Sequence, residues 1–320
     1  MTEKPYFLAV VGPTASGKSA LAEALALRLS GEIISCDSMQ IYRGMDIGTA
    51  KPTPAERARV PYHLVDILSP FEDFSAADYA QAADAAIADV RKRARLPILC
   101  GGTGLYLETL LRGAPRTPAA DPVIRERLAA EAEKVGSEAL YARLAAVDPV
   151  SAAAIHPNNV RRVLRALEIA ETTGLPKSEW DRQNADPSLR YRAAVICLTF
   201  EDRNLLYERI EKRVTEMFRA GLIQETRALQ EAGVFERSAT AAAPIGYKEI
   251  LPYLSGQCDL ETARNTLILS TKHYAKRQIT WFSARPYIHK LSVDADGKMR
   301  NFEEIVNNAL KLKKGIDYVI

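Results

Sequence analysis

Residues 12–19, Gly12-Pro13-Thr14-Ala15-Ser16-Gly17-Lys18-Ser19, follow the apolar run from Phe7 to Val11 and lead into the helix-favouring stretch from Ala20 to Leu29. This is the tightest constraint on the fold, because a strand that turns through two glycines into a helix forms a site for phosphate. Phosphate oxygens require several donors converging at short range. Gly12 and Gly17 let backbone N–H groups face inward, and the helix that follows adds its positive N-terminal end. The spacing G-x-x-x-x-G-K-[ST] is that of a P-loop, in which Lys18 neutralises the terminal phosphate oxygens and the Ser19 hydroxyl holds Mg²⁺. Gly12 to Ser19 are therefore the candidate diphosphate- or nucleotide-binding residues, and ATP is among the ligands the loop alone allows.

A chain of 320 residues buries one large core, or one core and a smaller attached domain. No apolar run approaches a membrane span, and Met1 to Pro5 is too short and polar for a signal peptide, so a cytoplasmic protein without membrane contact is expected. Cys36, Cys100, Cys197 and Cys258 are far apart, which predicts reduced thiols, three of them on strands. His63, His156, His273 and His289 are equally scattered, which argues against zinc. Net charge is only +3, but its distribution is uneven. Between Thr262 and Val293 there is no acid, while Arg264, Lys272, Lys276, Arg277, Arg285 and Lys290 fall inside the stretch. That is a footprint for a polyanion such as RNA, against the alternative of a solvated helix face.

Glu32 to Ser35 reads as a second buried strand ending at Cys36-Asp37-Ser38. Ligands of open α/β sheets bind beyond the carboxyl ends of the strands, so Asp37 is expected to face the phosphate crevice. The loop from Met39 to Pro52 carries Gln40, Tyr42, Arg43, Asp46, Thr49 and Lys51, more functional groups than turn chemistry explains. Pro61 to Leu68 is a weaker strand candidate. Ser75 with Asp78 forms a capping box for a helix to about Arg93, whose basic end suits the negative helix terminus. Leu96 to Cys100 is another buried strand, followed by Gly101-Gly102-Thr103-Gly104. A P-loop hydrolase usually has an Asp at this strand end to hold Mg²⁺ through water. Gly101 stands there instead, which counts against a motor or switch ATPase and leaves a small-molecule kinase or another diphosphate chemistry.

From Pro115 to about Arg190 the pattern is helical, with Asp121-Pro122, Asp148-Pro149 and His156-Pro157-Asn158-Asn159 as start signals and Gly136 and Gly174 as stops. Arg161 and Arg165 share a helix face with Arg162 beside them, either a solvated face or an RNA contact. Ala193 to Phe200 restores the strand pattern. A helix from about Asp202 to Ala220 then places Arg209 and Arg213 on one face. Gly246-Tyr247-Lys248-Glu249 is expected to open a further helix, and Asp259 caps another. In the latter, Tyr274, Trp281 and Phe282 interleave with cations, either to stack on bases or to pack the core. Phe302 to Ile320 ends the chain as a short helix. The fold expected is α/β, a P-loop NTPase-like parallel sheet flanked by helices, with core residues 1–115 and 192–320 interrupted by a helical insertion at 116–191.

Together these pieces resemble the tRNA dimethylallyltransferases, or isopentenyl-diphosphate:tRNA transferases. The resemblance rests on Gly12 to Ser19, Asp37-Ser38-Met39-Gln40-Ile41-Tyr42-Arg43, Asp46 to Pro52, Gly101 to Tyr106, His156 to Asn159, Gly246 to Glu249 and Tyr274 to Gln278, in family order. It implies transfer of a dimethylallyl group from dimethylallyl diphosphate to N6 of the adenosine just 3′ of the anticodon, with Mg²⁺ as cofactor and diphosphate as product. It further implies Asp37 as general base, Thr103 near the target base and Arg213 on the diphosphate. For the tRNA anticodon stem-loop it implies contacts from Asp37, Ser38, Met39, Gln40, Thr103, Arg125, Arg161, Arg162, Arg165, Lys272, Lys276 and Arg277, in a protein acting as a monomer. The chain departs from the pattern at Tyr62, Lys272, Ser283 and Ala241-Ala242-Ala243-Pro244. A kinase of the shikimate or adenylate type shares the P-loop and Asp37 but not the basic stretch or the insertion. A non-catalytic RNA-binding protein leaves Lys18, Ser19 and Asp37 without a purpose.

Overall fold

Phe7, Ala9 and Val11 pack into one cluster and Leu8 and Val10 into another, so the first strand is covered on both faces and reads as an unbroken apolar run. The computed structural model describes residues 4–113, 118, 121–184, 189–238 and 244–317. Its elements are, in order, β1 (Tyr6–Val11), α1 (Lys18–Leu29), β2 (Gly31–Ser35), α2 (Pro54–Arg59), β3 (Tyr62–His63), α3 (Ala76–Lys92), β4 (Leu96–Gly101) and α4 (Gly104–Arg112). The helices α5 (Pro122–Val147), α6 (Pro149–Ala154), α7 (Val160–Thr173) and α8 (Lys177–Asn184) follow. Then come β5 (Arg192–Thr199), α9 (Arg203–Ala220), α10 (Leu222–Glu231), α11 (Val234–Arg237), α12 (Leu251–Leu254) and α13 (Leu260–Ser283). The chain ends with β6 (Ile288–Ser292), the hairpin β7 (Asp294–Ala295) and β8 (Lys298–Met299), and α14 (Phe302–Asp317).

Six parallel strands form one sheet in the order β3-β2-β4-β1-β5-β6. Strand order reverses beside β1, which opens a crevice at the carboxyl ends of β1 and β4, where ligands of such sheets bind. Helices α3 and α4 cover one face through Tyr79, Ile87, Leu107 and Leu110, and α1 and α14 cover the other through Leu21, Leu25, Val306 and Ala309. A third cluster packs Ile41, Tyr42 and Met45 against Val214, Leu222, Tyr247 and Leu267, which fastens the loop after β2 to α9, α10 and α13. Contacts divide the chain into a unit of Met1–Gly113 with Leu189–Ile320 and a second unit of Ala114–Ser188. The second unit has its own core of Leu128, Leu140, Leu144, Val163 and Leu167.

Three local expectations change. Cys36 lies one residue past β2, so two of the cysteines are on strands. The Pro61 to Leu68 candidate shrinks to two residues because Leu64 and Asp66 take left-handed conformations (φ 59 and 58) that leave the extended region. Gly136, non-helical at φ 81 and ψ 164, divides the run of α5 into two helices, as its stop signal predicts. Gly246 to Glu249 form turns, and the helix begins at Leu251. Ala241 to Ala243 lie outside the described residues.

Candidate active site

The loop after β1 and the helix it enters set the first wall of the site. Gly17 occupies the left-handed region (φ 91), and so does Ala15 (φ 62), which lacks a glycine's freedom, so the loop is held by its surroundings. Two side chains do this. Arg209 on α9 donates from Nε to Ala15 O at 2.8 Å, and Gln278 on α13 accepts from Thr14 N at 2.8 Å. Lys18 is half-buried and donates to Pro13 O at 3.3 Å. Burial, and then the neighbouring Arg213, holds its ammonium below the usual lysine value. Burial likewise lowers Arg213. Among the described residues neither cation forms an ion pair, and both feel the Asp37 carboxylate across the cavity they share with it.

The second wall is the turn after β2. Asp37 accepts from Met39 N at 2.9 Å, and Ser38 N donates to Thr103 Oγ1 at 3.1 Å. Thr103 thus sets the Asp37 turn from the neighbouring strand end. The missing strand-end Asp now has a physical reason. A Cβ at Gly101 would lie 2.0 Å from Cys36 O, so the backbones of the two turns touch where a side chain would stand. Lys18, Ser19, Asp37, Gln40, Arg213 and Tyr274 line one cavity of about 260 Å³. Thr14, Asp37 and Arg213 also line an adjoining cavity of about 320 Å³, together with the apolar Met39, Val214 and Met217. The P-loop, Asp37 and Arg213, distant in sequence, therefore meet at one place.

Much of the polarity of the 39–52 loop is engaged within the chain. The Gln40 amide accepts from Ser35 Oγ at 2.9 Å and donates to Ala50 O at 3.1 Å. Lys51 is buried and pairs with Asp46 and Asp66 at 2.5 Å each. Sequence reasoning missed Glu225, whose carboxylate accepts from the amides of Asp46, Ile47 and Gly48 and from the Tyr247 hydroxyl, all at 2.8 to 3.0 Å. No sequence signal marked it, because its partners are backbone groups about 180 residues away.

The acid-free stretch is not acid-free in space. Lys272 pairs with Glu211 at 2.6 Å, Arg285 with Glu108 at 3.0 Å, and Arg264 with Glu261 at 3.6 Å. Lys276 and Arg277 remain exposed, and Arg277 lies over the Tyr274 ring. Phe282 is core, while Trp281 is half-buried beneath the Arg285 guanidinium at 4.4 Å. Three of the thiols are buried, and burial pushes Cys36 and Cys197 up to about 12 and Cys100 to about 11, which disfavours their thiolates.

In the second unit the predicted arginines separate into two kinds. Glu168 is almost wholly buried and accepts from Asp121 N at 3.0 Å. Arg165 and Arg125 close on it at 3.0 and 3.2 Å, and Arg165 also donates to Pro118 O at 2.8 Å. Arg161 and Arg162 are exposed and form no ion pair among the described residues.

A parallel sheet with a glycine-rich loop at its switch point, facing a carboxylate and cations without ion pairs among the described residues, defines a P-loop-like fold. The IPP transferase model matches residues 40–285 and the isopentenyl transferase model residues 6–65. The chain is 50% identical over 274 residues to a tRNA dimethylallyltransferase of Halorhodospira halophila, covering 86% of this chain and 88% of that one. With the Roseiflexus castenholzii enzyme of the same name it shares 49% identity over 301 residues, 93% and 96% of the two chains. Among solved structures, the tRNA isopentenylpyrophosphate transferase of Bacillus halodurans aligns with TM-score 0.69 at 42% identity over 99% of both chains. A eukaryotic dimethylallyltransferase acting on tRNA aligns with TM-score 0.75 at 29% identity over 90% of this chain and 73% of that one. The chain belongs to the IPP transferase family and is a prenyltransferase. Among the described residues no helix is long and apolar enough to cross a membrane.

Proposed function

We propose that the protein transfers a dimethylallyl group from dimethylallyl diphosphate to N6 of the adenosine immediately 3′ of the anticodon in tRNA, releasing diphosphate. One observation carries this reading: Asp37, Lys18 and Arg213 line the same cavity, and Asp37 and Arg213 also line the adjoining cavity beside apolar Met39, Val214 and Met217. A carboxylate placed between an anion cradle and an apolar space suits transfer of a hydrocarbon group away from a diphosphate.

An aromatic amine is a weak nucleophile because its lone pair is delocalised. Asp37 accepts the N6 proton as the C–N bond forms, and the Met39 amide fixes the direction of its carboxylate. The allylic carbon tolerates positive charge, so the main demand is on the departing oxygen. Lys18, Arg213 and the loop amides meet the negative charge that develops there as the C–O bond breaks. Ser19 stands on the same cavity wall, and its hydroxyl is a hard oxygen donor of the kind Mg²⁺ takes. When bound, Mg²⁺ neutralises the leaving group. Arg161, Arg162, Lys276 and Arg277 are the exposed cations left for the RNA backbone, and the base leaves its loop stack to react.

Incubation of the protein with dimethylallyl diphosphate, Mg²⁺ and unmodified tRNA yields isopentenylated adenosine by nucleoside mass spectrometry. A wild-type protein that leaves the tRNA unmodified sinks the proposal. Asp37→Ala lowers the single-turnover rate on the order of a hundredfold or more, while diphosphate affinity stays within a few-fold.

A further inference from the structure

Gln278 is buried on α13, where it borders the cavity between the two walls, and its amide ties them together. Oε1 accepts from Thr14 N at 2.8 Å and Nε2 donates to Gly102 O at 3.0 Å. A Cβ at Gly102 would lie 2.1 Å from Nε2, so the absence of a side chain there makes room for the contact. From Gly102 the chain passes to Thr103, whose hydroxyl accepts from Ser38 N, and Ser38 follows Asp37 directly. A continuous path of bonds thus runs from the phosphate loop through Gln278 to the turn that carries the base. The two ends ask opposite things of one group: Thr14 presents a donor and Gly102 an acceptor. Only a side-chain amide supplies both at this length without charge, since glutamate cannot donate and lysine cannot accept.

We propose that Gln278 is a positioning residue that sets the spacing between the phosphate loop and the Gly101 to Thr103 turn, and so aligns the prenyl donor with Asp37 and the acceptor base. This rests on the function proposed above. Tyr274, one turn earlier on α13, lines both cavities, so the helix itself reaches the space where donor and acceptor meet. Both polar atoms of the Gln278 amide are engaged by the two loops. Its loss lets the two loops drift apart with their own binding groups intact, and a shift of about 1 Å in such alignment lowers a rate by on the order of a hundredfold.

The test compares wild type with Gln278→Met, which fills the same space without either bond, and with Gly102→Ala, which displaces Nε2 from the other side. Single-turnover prenyl transfer falls about 10- to 100-fold in Gln278→Met, while the Kd for inorganic diphosphate with Mg²⁺, from calorimetry, stays within about three-fold of wild type by the same separation of alignment from binding. A rate within about two-fold of wild type overturns the proposal, as does a diphosphate affinity that falls in step with the rate. Hydrogen exchange supplies a reading independent of turnover: in the variant, peptides covering 12–19 and 101–104 lose protection together. Loss in one alone or in neither also overturns it. If Gln278→Met fails to fold, Gly102→Ala gives the same readings. A wild type that binds diphosphate but transfers no prenyl group defeats the proposed function, and the exchange result still decides the role of Gln278.

Discussion

Lys18 and Arg213 in the sheet unit and Arg125 and Arg165 in the helical unit look alike in sequence, as cations on or beside helices. Their surroundings differ. Lys18 and Arg213 face a cavity with no ion pair among the described residues, and burial lowers both. Arg125 and Arg165 close on Glu168, a buried carboxylate. A buried charge without a partner is unfavourable and is retained where a ligand completes it, whereas a paired one holds the fold. Lys18 and Arg213 stand on the cavity without an ion pair among the described residues, whereas Arg125 and Arg165 are tied to a buried carboxylate of their own unit.

The largest effect expected from breaking this contrast is on rate. Arg213→Gln lowers single-turnover transfer by about 10²- to 10³-fold, the range seen on removing a group that stabilises developing charge. Its melting temperature holds or rises, because a buried unpaired cation has been removed. A large drop in stability would show that Arg213 holds the fold after all. Glu168→Ala gives the reverse signature. It strands Arg125, Arg165 and the Asp121 amide, and lowers the stability of the 121–173 region by about 2–3 kcal/mol, a discounted figure because Arg125 is largely exposed. Denaturant-dependent hydrogen exchange in that region measures it.

Asp148 sharpens the same point through pH. Burial raises its carboxyl, but the hydrogen bonds from Ser151 and Ser178 outweigh this and bring it from 3.8 to about 2. The folded value lies below the unfolded one, so the stabilisation is fully present above about pH 4. It amounts to about 2 kcal/mol and is lost as pH falls from about 4 towards 2. Melting of Asp148→Asn against pH should lack that component. The smallest effect expected is at the exposed pair: Arg161→Ala or Arg162→Ala weakens binding of the anticodon stem-loop a few-fold and reduces the salt dependence by about one unit each, with stability within about 0.5 kcal/mol. Unchanged salt dependence would remove them from the RNA surface.

The strand-loop-helix around residues 12–19 was legible because its signal is local: two glycines, a lysine and a hydroxyl between an apolar run and a helix. The capping box at Ser75 and Asp78, the cap at Asp259 and the stop at Gly221 were legible for the same reason. Glu225 and Gln278 were not, because they act mainly on backbone atoms far along the chain, which carry no residue-specific signal, and Glu168 was not, because its burial depends on how the helices of its unit pack. The loop from Met39 to Pro52 was read as rich in function when Gln40, Asp46 and Lys51 bind their own chain, a distinction that polarity alone does not make. The acid-free stretch is acid-free along the chain alone, since Glu211 and Glu108 reach Lys272 and Arg285 from other elements.

By itself, the sequence determined the strand, glycine-rich loop and helix around residues 12–19, the place of Asp37 just past the next strand, and Gly101 where a P-loop hydrolase usually has an Asp. These follow from spacing and from the stereochemistry of short segments. Only the tertiary structure decided that Gly101 is required by the backbone of Cys36, which of the cations stand without a partner, and that one buried amide, Gln278, joins the cradle to the turn bearing Asp37. Those depend on distances between residues that the chain separates by tens to hundreds of positions, and such distances exist only once the sheet has brought its strand ends together.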